Sequence, residues 1–252
     1  MDLLKLNRNS GELVYSAEVD GTYLEIRELE HYRWFHFGDD AIQSIIDLTQ
    51  PEKIQLPVPQ AMLSFLLWKK SPLVVLNLGL GGGSFERYFH SNTEISLQTV
   101  EVNTLVITAA KNYFSLPQKL SIHIESAEVY LQRDHKKVDV ILCDIFANQE
   151  NPACLQDEIF YQNLQKSCIN SSVVFINLFA IDEQHMVEIM TKIKVYFGHI
   201  VLIEFEHYKN VILVLSQQPL PSKDMLLTKN NGSDNTIGID FSNVIERWHV
   251  MS

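Results

Sequence analysis

Up to about Pro59, apolar and polar residues alternate in short runs, "LVYSAEV", "TYLEIRE" and "RWFHF", broken at Asp20-Gly21 and at a polar step around His31. Period two with turn residues between the runs predicts tightly joined strands, so residues 1–58 are expected to form a small β-meander. His31, Trp34, Phe35 and His36 fall in or beside the last of these runs, where aromatic packing is their expected role. From Leu73 the pattern changes. Continuous apolar runs, "LVVLNLG", "ISLQTV", "VDVILCD" and "SVVFINLF", alternate with stretches of helical period. Parallel strands buried on both faces, with helices as crossovers, read in this way. Two later runs, "HIVLIEF" and "NVILVLS", are separated by only a few residues. A parallel crossover needs a dozen or more, so these two strands must be antiparallel. The expected fold class is therefore α/β: a Rossmann-like, mostly parallel sheet over residues 59–220 that ends in an antiparallel hairpin, with the meander in front. Beyond Pro221, "TKNNGSDNTIGIDF" is polar and rich in Gly and Asn and reads as a surface loop; a short amphipathic tail, "FSNVIERWHVM", follows it, the two making up residues 221–252.

Composition narrows the function classes. A chain of 252 residues is long enough for one sizeable core, or for one core plus a small appended domain. The formal net charge of −11 opposes nucleic acid, whose binding rests on Lys and Arg displacing counterions, and favours a small cationic partner. The opening residues hold no apolar run long enough for a signal peptide, and "AMLSFLLWKK" is too short and too soon charged to span a bilayer, so a soluble cytoplasmic protein off the membrane is expected. Cys143, Cys154 and Cys168 are odd in number and lie 11 and 14 residues apart. They lack the close pairing of a zinc site or redox motif, and buried free thiols without a metal are expected.

The chemistry concentrates in "LNLGLGGGSF", an apolar strand that runs into glycines and then a helix. Gly79, Gly81 and Gly83 permit a tight turn and close backbone approach, and the N–H groups that open the helix can meet negative charge. A dinucleotide fingerprint would need Gly or Ala at position 84, where the chain has Ser84. Glu101, in "TVEVN" at the end of the next strand, stands 22 residues after Gly79, where an acid that grips ribose hydroxyls is expected. Asp144 ends the run "VDVILCD", at the carboxyl edge where open α/β sheets bind ligands, and should face the same crevice.

Taken together, these residues resemble the spermidine synthase (aminopropyltransferase) family, especially its bacterial spermidine synthase-like members. The resemblance covers roughly residues 20 to 216 and is carried by "FGDDAIQS", "PQAML", "GLGGGS", "VEVN", "SAEVYL", "DVILCDIF" and the rhythm of "LQDEIFY". It implies a class I S-adenosylmethionine-dependent transferase fold, whose parallel sheet also finishes in a hairpin. It implies decarboxylated S-adenosylmethionine or S-adenosylmethionine as the nucleoside substrate, without a metal, and transfer of an aminopropyl group to an amine with release of methylthioadenosine. Carried onto this sequence, Gln43 and Gln60 would contact the thioether and aminopropyl arm, with Gly79, Gly81, Gly82 and Gly83 beneath it. Glu101 would hold the ribose, Ser126 and Ala127 the adenine, and Asp144 would take the proton of the attacking amine. The meander serves in the family as lid and oligomer surface, which implies a homodimer.

The chain also departs from the family's pattern. Asn103 stands for the second ribose acid, Ser126 for an adenine-binding Asp and Ala147 for a second catalytic-loop Asp. Pro59 and Ala61 replace a phenol and an acid on the diamine side. Each change removes a hydrogen-bond acceptor or a negative charge, so the nucleoside half reads as partly kept and the diamine half as eroded. Three functions are compatible with these residues: aminopropyl transfer to some amine, methyl transfer from intact S-adenosylmethionine, and non-catalytic nucleoside binding or assembly. The meander favours the first over the second; Pro59, Ala61 and Ala147 favour the third.

Overall fold

The alternating runs near the start become four antiparallel strands, β1 (Glu12–Val19), β2 (Thr22–Leu29), β3 (Tyr32–His36) and β4 (Ser44–Asp47), in that order across one sheet. The computed structural model describes residues 6–19, 21–90, 92–146, 151–179, 181–232 and 238–251. Then come α1 (Pro57–Met62), β5 (Leu73–Leu78), α2 (Ser84–Phe89), β6 (Ile95–Val100), α3 (Thr104–Tyr113), β7 (Ser121–His123), α4 (Ala127–Gln132) and β8 (Val138–Cys143). The chain continues through α5 (Glu158–Lys166), β9 (Cys168–Phe179), α6 (Glu183–Lys194), β10 (His199–Glu204), β11 (Asn210–Ser216), α7 (Lys223–Asn230), α8 (Ser242–Glu246) and β12 (Trp248–Met251).

The second sheet has eight strands in the order β12-β10-β11-β9-β8-β5-β6-β7. Strands β7, β6, β5, β8 and β9 pair in parallel. As the short connection requires, β10 and β11 are antiparallel, and β11 inserts between β9 and β10. The α/β sheet with its closing hairpin is thus the observed architecture. Neighbouring residues of each central strand point to opposite faces, which explains the unbroken apolar runs. On one face Val140, Leu142 and Phe175 pack with Phe65 and Phe85. On the other, Ile141, Val174 and Leu213 pack with Leu164 of α5 and Ile189 of α6.

The meander docks on this body through α3. Leu24, Ile26, Phe35 and Ile46 form one cluster with Leu105, Val106 and Phe114. Trp34, Phe35 and His36 are buried, in keeping with a packing role, whereas His31 is partly exposed and its ring lies tilted against that of Tyr32, with centroids 4.3 Å apart. Cys143 and Cys168 are buried free thiols and Cys154 is half-buried; burial pushes the last two up to about 12.

The C-terminal stretch differs from a plain surface loop and tail. Residues 233–237 lie outside the described residues, but Thr228–Asn230 close α7, and Ile239 and Phe241 are buried. Asn230 accepts the Phe241 N–H at 3.1 Å, which seats these apolar residues in the core. Trp248 donates its indole N–H to Pro221 O at 3.1 Å, and β12 pairs with β10 as the last strand of the sheet. No helix among the described residues is long and apolar enough to cross a membrane.

Candidate functional site

Parallel register brings the glycine turn and the two acids side by side. The strand ladder continues one residue past each end: Gly79 N–H donates to Val100 O at 2.9 Å, Glu101 N–H to His123 O at 3.0 Å, and Asp144 N–H to Leu78 O at 2.8 Å. Three consecutive strand ends therefore deliver Gly79, Glu101 and Asp144 to one edge, at the point where the chain leaves β5 for β6 on one side and β8 on the other. Open α/β sheets bind ligands at such a switch point.

A cleft of about 520 Å³ opens there. Gly81, Glu101 and Asp144 line it from the sheet side, and Gln43, from the segment before β4, lines it from the meander. Two glycines show why the turn needs them. Gly79 (φ +97°) lies flat against the main-chain carbonyl of Asp144, where a Cβ would collide. Gly81 (φ +52°) faces open space, and a Cβ there would meet no atom of the chain. One glycine sets the position of Asp144, and the other leaves room for a ligand. Gly82 and Gly83 act inside the wall: a Cβ on the first would strike Ser44 of β4, and on the second Leu116.

Glu101 is held by main-chain donors. Leu80 N–H donates to Oε2 at 2.9 Å and Asn103 N–H to Oε1 at 2.8 Å. Burial holds its carboxyl above the usual range, against the pull of these donors. Asn103, which stands for the family's second acid, caps α3 by accepting the N–H groups of Leu105 and Val106, and its amide reaches Thr22 of β2 at 3.4 Å. The residue thus ties the cleft wall to the meander.

Asp144 is half-buried, and burial raises its carboxyl above the usual range while the amide of Asn177 opposes the rise. Asn177 Nδ2 donates to Asp144 Oδ1 at 2.8 Å, and Asn210 Nδ2 in turn donates to Asn177 Oδ1 at 2.9 Å. Oδ2 of Asp144 has no hydrogen-bond partner among the described residues.

Other expected site residues lie elsewhere. Gln60 is turned back on the chain, its amide donating to Ile54 O at 2.7 Å, and it does not line the cleft. Ser126 precedes α4 without a side-chain cap, Ala127 is buried in the core, and neither lines the cleft. Pro59 is part of the cleft wall, whereas Ala61 is fully buried. Ala147 lies outside the described residues. Among the described residues no cluster of three or more His, Cys, Asp or Glu is placed to hold a metal ion.

The cleft also contains residues the sequence reading passed over: Asn177 and Phe179 at the end of β9, and His207, Tyr208 and Asn210 at the hairpin between β10 and β11. Asn177 carried a signal, a polar residue inside the apolar run "SVVFINLF". A polar side chain inserted in a buried strand requires a partner, and here the partner is Asp144.

No family model matches the chain. It is 27% identical over 231 residues to the polyamine aminopropyltransferase of Chromobacterium violaceum, covering 89% of this chain and 88% of the relative. To that of Neisseria meningitidis serogroup A it is 28% identical over 228 residues, covering 87% and 86%. Among solved structures it is similar to a probable spermidine synthase from Corynebacterium glutamicum, with a TM-score of 0.73 at 14% identity over 87% of this chain and 88% of that one. Human methyltransferase-like protein 13 in complex with SAH superposes with a TM-score of 0.66 at 20% identity, over 73% and 94%. A spermidine synthase in complex with the transition-state analogue AdoDATO gives 0.62 at 20%, over 84% and 75%.

Proposed function

We propose, for a chain that is a diverged relative of the polyamine aminopropyltransferases, that the cleft binds decarboxylated S-adenosylmethionine and that the protein transfers the aminopropyl group to an amine, as a transferase of polyamine biosynthesis. The observation that carries this reading is the convergence of Gly81, Glu101 and Asp144 on one cleft at the ends of β5, β6 and β8.

In this reading Glu101, already oriented by Leu80 and Asn103, accepts the ribose hydroxyls, and the bare backbone at Gly81 lets the ligand's arm pass close. The acceptor arrives as an ammonium, drawn by the carboxylate of Asp144. An ammonium has no lone pair, so Asp144 takes its proton first. The freed nitrogen attacks the carbon beside the sulfonium, the N–C bond forms as the C–S bond breaks, and the electron pair leaves with sulfur in methylthioadenosine. A carboxyl raised by burial is a stronger base than an exposed one, and Asn177 holds one of its oxygens so that the other faces the cleft.

The second reading is methyl transfer from intact S-adenosylmethionine, favoured by the likeness to a methyltransferase solved with SAH. The four-stranded meander argues for the first. Calorimetry with S-adenosylmethionine, its decarboxylated form and methylthioadenosine, followed by assay of methylthioadenosine release with a panel of amines, separates the two. Preference for the decarboxylated form with release of methylthioadenosine supports aminopropyl transfer. Absence of binding by all three at millimolar concentration rejects the nucleoside assignment and leaves an assembly role for the fold.

A further inference from the structure

Among the described residues His36, at the end of β3, is the one buried histidine, 1% exposed. Its Nδ1 accepts the Gly38 N–H at 3.1 Å. A ring nitrogen that accepts carries no proton, so the imidazole is neutral with its proton on Nε2. Nε2 lies 3.3 Å from Oε2 of Glu25, the residue paired with His36 across β2 and β3. The bond to Gly38 fixes the start of residues 37–43, which leave the sheet between β3 and β4 and return through the Gln43 N–H to Phe35 O at 3.0 Å. Gly38 is left-handed there, φ +89°, against the Tyr23 ring, and its carbonyl accepts Arg8 Nη1 at 3.0 Å. This segment gives the cleft Phe37, Asp40, Ala41, Ile42 and Gln43, whereas His36 itself does not line it.

A proton on Nδ1 would set one N–H against another, so the Gly38 amide would lose its partner and the segment its first fixed point. The charged groups that face the ring are Glu25 and Arg27 from β2, Asp39 from the segment and Arg8 from the stretch before β1. The Tyr23 hydroxyl donates to Glu25, as does Arg27 Nε at 3.3 Å, and the Tyr23 bond holds that carboxyl below its ordinary value. Glu25 pulls His36 toward the charged form, but burial outweighs it and keeps the imidazole below its ordinary 6.5.

We propose that His36 is a positioning residue for the cleft: in its neutral form it pins residues 37–43, and with them Gln43, where they meet a nucleoside, and on protonation it releases them. The inference rests on the nucleoside reading of the cleft for its ligand, though not for the latch. The bound form holds His36 neutral, so binding below the His36 midpoint expels a proton. Affinity then falls as pH drops, by up to about tenfold per unit, and by reciprocity a bound nucleoside lowers the midpoint. Glu101 and Asp144 of the same cleft are carboxyls raised by burial and titrate as well, so the contribution of His36 is read by comparing variants.

The first measurement needs no ligand: heteronuclear NMR of the histidine rings and of the main-chain amides in the full chain, from about pH 8 to about pH 4.5. The His36 ring is expected to carry its proton on Nε2 at the upper end, and the Gly38 amide and its neighbours through Gln43 are expected to shift with the ring's own midpoint. A proton on Nδ1 at the upper end, a ring that stays neutral throughout, or a titration that leaves the Gly38 amide in place would overturn the inference. The second is calorimetry with methylthioadenosine over the same range on the wild type, His36→Asn and His36→Gln. The Asn oxygen stands near the place of Nδ1 and accepts the Gly38 N–H without titrating, so this variant is expected to match the wild type at about pH 8 and to lose less affinity in acid. The Gln amide reaches past Gly38, and about two- to tenfold weaker binding is expected of it at about pH 8. Equal pH slopes in the wild type and His36→Asn would overturn the inference. Should the variants fail to fold, the wild-type His36 midpoint with and without methylthioadenosine decides: a lowered midpoint supports the latch, and an unmoved one overturns it. Absence of nucleoside binding rejects the ligand reading while the ligand-free titration still decides the latch, so the two fail separately.

Discussion

Glu101 accepts the main-chain N–H of Leu80 at 2.9 Å, which makes the acid after β6 and the glycine turn after β5 a single unit. Its ligand contacts and its hold on the turn therefore stand or fall together. Glu101→Gln sets an amide donor against one of two backbone donors and removes the charge-assisted acceptor for a ribose diol. A loss of about 1.5–3 kcal/mol in nucleoside affinity is expected, accompanied by a lower unfolding midpoint. Calorimetry with methylthioadenosine and a urea titration check both; an unchanged dissociation constant returns Glu101 to a purely structural role.

Gly79 and Gly81 share left-handed backbone but differ in what a side chain would meet. Gly79→Ala drives a methyl into the carbonyl of Asp144, so the variant is expected to lose stability by several kcal/mol through steric overlap added to αL strain. Gly81→Ala carries only the strain, about 1–2 kcal/mol, because its Cβ meets nothing. Gly81→Val should stay folded and lose nucleoside binding, since its side chain occupies the cleft. Denaturant midpoints and calorimetry on the three variants test the contrast, and equal destabilisation at positions 79 and 81 would contradict it.

Beneath the same turn Glu86 is buried, its Oε1 accepting from Asn77 Nδ2 at 2.8 Å and Thr99 Oγ1 at 2.6 Å, while Oε2 and Asn77 Oδ1 have no partner among the described residues. Burial holds its carboxyl above the ordinary value of 4.5. The folded protein then binds the proton more tightly than the unfolded chain, so this contribution to stability is fully present below the unfolded value and is lost as pH rises through the folded one. Each unit of difference corresponds to about 1.4 kcal/mol. Glu86→Gln keeps an acceptor toward Thr99 and removes the titration. Urea midpoints from about pH 5 to about pH 9 are expected to fall with pH in the wild type and to stay flatter in the variant; parallel curves would show that Glu86 is ionised throughout.

Legibility in the sequence followed the range of the interactions. The reversed β10–β11 pair was readable because chain connectivity alone forbids a parallel crossover of a few residues. The glycine turn and Glu101 were readable because one βαβ unit fixes their spacing. The Asn210–Asn177–Asp144 relay was not, since its members come from three strand ends far apart in the chain and meet only once β11 inserts between β9 and β10. The orientation of Gln60 was not legible for a related reason: its own helix entry offers the Ile54 carbonyl, a local partner no sequence match reveals. In the polar C-terminal stretch, Ile239 and Phe241 were outnumbered by turn-forming neighbours, yet two buried apolar side chains, worth about 1.5–3 kcal/mol each, decide where that segment lies.

The relay itself gives the sharpest test of the proton acceptor. If Asp144 receives the amine proton, it must be ionised, and because burial raises its carboxyl, the acid limb of kcat/KM for methylthioadenosine release lies above the usual aspartate range. The Asn177 amide opposes that rise by donating to Oδ1, so removing it with Asn177→Leu should push the carboxyl further up and move the acid limb to higher pH. At pH well above the limb Asn177→Leu recovers most of its turnover, since the base is then charged again. Asp144→Asn does not recover at any pH and is expected to lose roughly two to four orders of magnitude in turnover, with nucleoside affinity changed far less. An acid limb that stays in place in Asn177→Leu, or turnover indifferent to Asp144→Asn, would assign the proton to another acceptor.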